Sequence, residues 1–272
     1  MPVKKDATGR RFVEVEVEVP GTPEAVWQAI ATGPGVTSWF VPTRMEERVG
    51  GTVTANFGPG MASLATITAW DPPRRFAADS RDDMGPGSPT IATEWTVEAK
   101  AGGSCVVRVV HAWFADSDDW DGQFGAFESG WPAFFRILRL YLAHFSGRSG
   151  VNVQLMGVAS EPTVGDAWAA LTGRLGIAGA GPGQRVQSAA GAPALAGQVE
   201  RVGPDGHPEL LLRLDAPAPG IAHLFALPMG GQVYLPIRLY LFGDQSAAVA
   251  AREEAVWQAW MARHFPMPAQ PG

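Results

Sequence analysis

Residues 12–19 read FVEVEVEV. Alternation this strict puts Val13, Val15, Val17 and Val19 on one face of a strand and Glu14, Glu16 and Glu18 on the other. A strand with one dry face must be covered, so the chain is committed from its start to a layered structure. A cover comes at once in PGTPEAVWQAI (20–30). There Thr22 is placed to cap a helix, Pro23 suits its first position, and Val26, Trp27 and Ile30 recur at helical spacing.

From Gly50 to Trp113 the pattern changes to short strands. They read GGTVTANFG, SLATITAWDPP, RRFAADS, TIATEWTVEA and CVVRVVHAWF, joined by Pro-Pro, Gly-Pro and Gly-Gly signals. That spells an antiparallel meander. ESGWPAFFRILRLYLAHF (128–145) then reads as an amphipathic helix with a Gly-Trp-Pro break just inside its start. Its apolar stripe takes Trp131, Phe134 or Phe135, Leu138, Tyr141 or Leu142, and Phe145, with Arg136 and Arg139 on the other face. The stripe can be buried only against the dry face of the sheet.

The order then returns more loosely. VNVQLMG alternates as a strand, GDAWAALTGRLG echoes EAVWQAIATG with Trp168 answering Trp27, and SAAVAAREEAVWQAWMARHF closes on the same His-Phe as the first half. We read a duplication, with domains over 1–147 and 148–272 and an intramolecular pairing of the two expected. Residues 176–194 are too small and too rich in Gly and Ala for a strand pair, so the second copy has lost elements there.

A length of 272 residues suits two domains, and 46% hydrophobic against 18% charged residues suits a folded chain. The net charge of −6 without a basic cluster excludes a phosphate-backbone binder, so no nucleic-acid partner is expected. No apolar run reaches the roughly 18 residues of a membrane span and no secretory leader is evident, so we expect a cytoplasmic protein without a membrane partner. The single Cys105 can form neither an internal disulfide nor a zinc site, and its apolar neighbours make it a buried, inert thiol.

TPEAVWQAIATGPGVTSWF, VGGTVTANFG, ITAWDPPRRFAADS, TEWTVEAKAGGSCVVRVVHAWF and ESGWPAFFRILRLYL carry a likeness in their order. The first half resembles the START/Bet v 1-like (SRPBCC) superfamily, in the branch similar to the C-terminal domain of activators of the Hsp90 ATPase. The resemblance implies an α+β helix-grip fold: a curved antiparallel sheet wrapped around a long C-terminal helix, with a cavity between them. It places Gly130 where the helix passes over the cavity mouth, permitting close approach and a bend. It makes Trp131 the roof, and Pro132 then starts or kinks the main helix. In its register Phe57, Ile67, Phe76, Trp95, Val109, His111 and Trp113 face inward, with Trp39 and Phe40 on a covering segment and Phe135 on the helix. These are the candidate ligand-binding residues. The second half has no Trp-Phe, Val-Gly-Gly or Gly-Trp equivalent, and reads as a degenerate partner domain.

His111 is a candidate general base or polar anchor, weighed against a satisfied core histidine. No other His pairs with it at metal-ligand spacing, and no metal or cofactor is implied. From Ser117, Asp119, Asp121, Gly122 and Glu128 fall at calcium-loop positions. A Ser stands first and a strand precedes, so we read a solvated loop holding Asp116, Asp118 and Asp119, with Glu128 at the helix start. GAGPG (179–183) lacks the flanking strand and helix of a phosphate cradle. No catalytic residue is assigned. The expected function is binding or sequestration of a hydrophobic or aromatic small molecule. The alternatives are a cyclase, dehydratase or hydrolase drawing on His111, Ser80 and Thr93, and a chaperone-interaction module.

Overall fold

In the computed structural model the alternating segment is β2 (Arg11–Pro20), preceded by β1 (Lys4–Lys5). Val13 and Val19 are buried while Glu16 and Glu18 are exposed, as a half-buried strand requires. On the wet side Glu14 and Glu16 lie 3.5 and 3.8 Å from Arg108, surface pairs that contribute little to stability. The structure describes residues 4–5, 11–58, 61–81, 87–113, 121–204 and 206–268, and for 121–129 the backbone alone. The chain divides into two units, Met1–Ser149 and Gly150–Gly272.

In the first unit, α1 (Pro23–Ala31) and α2 (Gly33–Thr37) lead into β3 (Thr43–Met45) and β4 (Thr52–Asn56). β5 (Ala62–Asp71), β6 (Arg75–Ser80), β7 (Ile91–Lys100) and β8 (Ser104–Trp113) complete the meander, and α3 (Asp121–His144) closes the unit. The sheet order is β1-β2-β8-β7-β6-β5-β4-β3, antiparallel throughout, and α3 packs along β2. This is the helix-grip arrangement. Cys105 is buried with its Sγ 3.4 Å from the Gly21 carbonyl oxygen, and desolvation together with the nearby Glu24 charge pushes its thiol pKa up.

Two readings of the closing helix need correction. It begins at Asp121 instead of 128, and of the two roles expected for Pro132, starting the helix or kinking it, the first does not hold, because the helix runs through it. Pro132 lies on the exposed side, and the helix gives up one backbone donor there. Asp121 and Gly122 are already helical, which removes the loop a calcium site would need. Asp116, Ser117, Asp118 and Asp119 lie outside the described residues.

The second unit repeats strand, helix, strands and closing helix. Its elements are β9 (Gly150–Val158), α4 (Val164–Leu175), β10 (Arg185–Gln187), β11 (Ala196–Val202), β12 (Glu209–Ala216), β13 (Gly220–Phe225), β14 (Leu227–Met229), β15 (Gln232–Phe242) and α5 (Ser246–His264). The sheet runs β10-β11-β12-β13-β15-β14, with β9 also paired to β15. The Gly/Ala-rich stretch supplies only the three-residue β10. Here α5 packs on β9 as α3 does on β2. Gly157 makes the approach close, since a Cβ there would stand 2.6 Å from the Met261 methyl and 2.8 Å from the Phe265 carbonyl oxygen. Leu235, Ile237, Leu239, Leu241 and Trp257 are fully buried in this core. Among the described residues no helix is long and apolar enough to cross a membrane.

The joint between α1 and α2 sets the position of Trp39 and Phe40, which come directly after it. The Thr22 hydroxyl caps α1, and the Thr32 hydroxyl caps α2 by accepting from the Gly35 N–H at 3.0 Å. A Cβ on Gly35 would lie 1.8 Å from the Gln28 carbonyl oxygen, so only glycine lets α2 fold back onto α1. We therefore expect Gly35→Ala to lower the stability of the first unit by more than about 2 kcal/mol in urea unfolding followed by tryptophan emission.

Candidate functional site

Inward side chains of the first sheet line up in cross-strand rows. One row sets Val13, His111, Thr93 and Ala78 side by side, and the next sets Val15, Val109, Trp95 and Phe76. Between this face, α3 and the segment after α2 lies a cavity of about 640 Å³. Of the residues expected from sequence, Trp39, Phe40, Phe57, Phe76, Trp95, His111 and Trp131 line it.

Ile67, Val109, Trp113 and Phe135 do not line it, although all are buried. Ile67 shares a strand face with Ala65, which does line the cavity, but stands two residues beyond it. Val109 and Trp113 lie one inward step to either side of His111 along β8; Trp95 and Phe76, in the same cross-strand row as Val109, do line the cavity, so its edge there falls between β7 and β8. Phe135 packs behind the wall, its ring 5.5 Å from Trp131 and 6.1 Å from Trp95. Phe134 takes the place by the cavity instead, 4.4 Å from Phe40. Periodicity alone left Phe134 and Phe135 equivalent, because i+3 and i+4 both lie beside Trp131 on one helix face.

Sequence reasoning missed Thr43 and Met45 on β3, a strand of three residues and too short to show alternation. It also missed Val36 and Met61. Phe57 and Met61, 42% and 63% exposed while lining the cavity, stand at its rim.

The walls are a connected set of rings. Phe40 lies 5.2 Å from Trp131 with planes 17° apart, and meets Phe57 edge-on at 5.6 Å. Trp95 meets Trp131 edge-on at 5.1 Å and lies 6.2 Å from Phe76. Trp39 is held from behind by an N–H donated to the Ala29 carbonyl at 2.9 Å. Such offset and edge-on pairs add about 0.5–1.5 kcal/mol each beyond area burial. Among the described residues a Cβ on Gly130 would meet no atom within 4 Å, so none of them makes the close approach expected there. Gly130 borders the cavity and leaves that space open.

One polar chain crosses this apolar site. The Trp131 Nε1–H donates to His111 Nε2 at 2.7 Å, and His111 Nδ1 lies 2.9 Å from the Thr93 hydroxyl. An indole N–H can only donate, so Nε2 must accept. The imidazole is therefore neutral with its proton on Nδ1, which donates to Thr93 Oγ1. Burial lowers the His111 pKa to about 4, and a proton on Nε2 would also face the indole N–H. With both nitrogens engaged, His111 serves as an anchor of the wall.

Residues 20–143 match the family model described as "Activator of Hsp90 ATPase homolog 1-like protein". No curated protein matches the chain in sequence. Among solved structures the chain is similar to the di-domain ARO/CYC BexL from the BE-7585A biosynthetic pathway, at 14% identity and a TM-score of 0.46, covering 95% of this chain and 100% of that one. It is also similar to DynU16 of the dynemicin biosynthetic locus, at 17% identity and a TM-score of 0.43, covering 92% and 95%. A third, protein MLL2253 from Mesorhizobium loti, is 20% identical with a TM-score of 0.45, covering 50% of this chain and 99% of that one.

The His111 pKa makes stability depend on pH. The folded value of about 4 lies below the ordinary 6.5, so the unfolded chain binds the proton first on acidification. This contribution is complete above pH 6.5 and is lost as pH falls toward 4, by on the order of 3 kcal/mol. Urea unfolding of the first unit between those pH values should show the loss, and His111→Gln should flatten it by the same amount.

Proposed function

We propose that the protein, whose residues 20–143 match the activator of Hsp90 ATPase homolog 1-like family model, binds an uncharged hydrophobic or aromatic small molecule in the cavity of its first unit. The observation that carries this reading is the lining itself. Connected aromatic rings form one part of the wall, aliphatic and small side chains such as Ile30, Val36, Val53 and Ala65 form much of the rest, and among the described residues no Asp, Glu, Lys or Arg contributes to it.

Magnitudes favour a neutral guest. A tricyclic hydrocarbon burying roughly 300 Å² gains about 7 kcal/mol from desolvation. An unpaired carboxylate in the same place would forfeit several kcal/mol of that. Trp39, Phe40, Phe57, Phe76, Trp95 and Trp131 act as walls, with Phe57 and Met61 at the entrance. A cyclase or dehydratase reading would need His111 to exchange protons with a substrate, yet both its nitrogens are held by Trp131 and Thr93.

Tryptophan emission titrated with fluorene and with fluorene-2-carboxylate tests the proposal. Fluorene should change the emission saturably, and the carboxylate should bind at least tenfold more weakly. Phe40→Ala, which removes a ring in contact with Trp131, should weaken fluorene about tenfold. Emission that stays constant with fluorene and other uncharged aromatics would dismiss the reading. Retention on an immobilised Hsp90-type ATPase, indifferent to added ligand, would favour a surface-interaction role instead.

A further inference from the structure

The polarity of Thr93 has a consequence for the guests that the cavity accepts. A threonine hydroxyl carries one proton and two lone pairs, so in most settings it can donate or accept as its surroundings dictate. Here that freedom is removed two residues away. The Trp131 N–H makes His111 Nε2 an acceptor, which puts the imidazole proton on Nδ1 and makes Thr93 Oγ1 its acceptor. The Thr93 proton must then point elsewhere. Among the described residues Thr93 makes no side-chain hydrogen bond besides the one with His111, and Thr93 lines the cavity.

We propose that Thr93 is a hydrogen-bond donor of enforced polarity, and that it selects guests carrying an acceptor oxygen, a ketone or quinone carbonyl on an aromatic frame. The inference rests on the binding reading and adds the chemical class. His111 and Trp131 are positioning residues in this scheme: they touch no reacting atom and set the direction in which Thr93 donates. A guest carbonyl that meets the hydroxyl regains the hydrogen bond it loses on leaving water, while one that meets only rings does not. The enforced donor thus separates ketones from hydrocarbons of the same shape.

The test compares 9-fluorenone with fluorene, which differ at one carbon, in wild type, Thr93→Val, Thr93→Ser and Trp131→Phe. The measured quantity is the ratio of the two dissociation constants in each protein, so a general loosening of the cavity cancels. Thr93→Val should shift the ratio against fluorenone by about 2-fold to 12-fold, the range of one net hydrogen bond. Thr93→Ser should keep the wild-type ratio. Trp131→Phe retains a ring but frees Nε2 to carry the proton, so Thr93 can turn its hydrogen toward Nδ1 and the ratio should again shift against fluorenone.

The infrared carbonyl band of fluorenone bound to wild type gives a reading that needs no variant. A shift to lower frequency than in cyclohexane supports the inference, and a band at the cyclohexane position overturns it. An unchanged ratio in Thr93→Val, or a ratio lost in Thr93→Ser, overturns it as well while leaving the binding reading intact. Failure of both compounds to bind wild type removes the binding reading and this inference together.

Discussion

An indole N–H can donate and nothing more, and in this protein that restriction propagates. Trp131 reaches from the closing helix to the inner face of the sheet and commits His111, which commits Thr93. The bond ties α3 to β8, and the Phe40 ring, from the segment after α2, stacks on the same indole. Between these supports a space remains that side chains do not fill. The hydrogen bonds satisfy both imidazole nitrogens within an aromatic wall, so a buried histidine is tolerated without charge.

The second unit shows the same element order without this device. Trp257, on its closing helix, is fully buried with no hydrogen-bond partner for its N–H among the described residues. An unsatisfied buried donor costs about 1–3 kcal/mol, which the surrounding apolar contacts must offset. Among the described residues the second unit also lacks a counterpart to α2 and carries only β10 where the first has β3 and β4. In the first unit it is α2 and these strands that bring Phe40, Met45 and Val53 to the cavity. One arrangement of strands and a closing helix thus supports two kinds of interior.

Much of the fold was legible because its strands and helices announce themselves locally. The Val/Glu alternation of β2, the Thr-Pro start of α1 and the turn signals between β4 and β8 each depend on neighbouring residues alone. The closing helix was legible in type but not in extent. Gly130 and Pro132 look like a boundary, yet the helix runs through them from Asp121. Most of the aromatic residues expected to face inward do line the cavity, because inward alternation is a property of each strand. Ile67, Val109, Trp113 and Phe135 are buried in the same unit without lining the cavity.

Sequence by itself determined the layering, the inward register of the strands and the apolar stripe that the closing helix must bury, since period and polarity are local properties of the chain. Only the tertiary structure decided where along the inner face packing stops and open volume begins, because that depends on which side chains from distant segments meet. It also decided the proton's place on His111. No residue near position 111 in the chain specifies a tautomer; the indole that does so arrives from a helix 20 residues on.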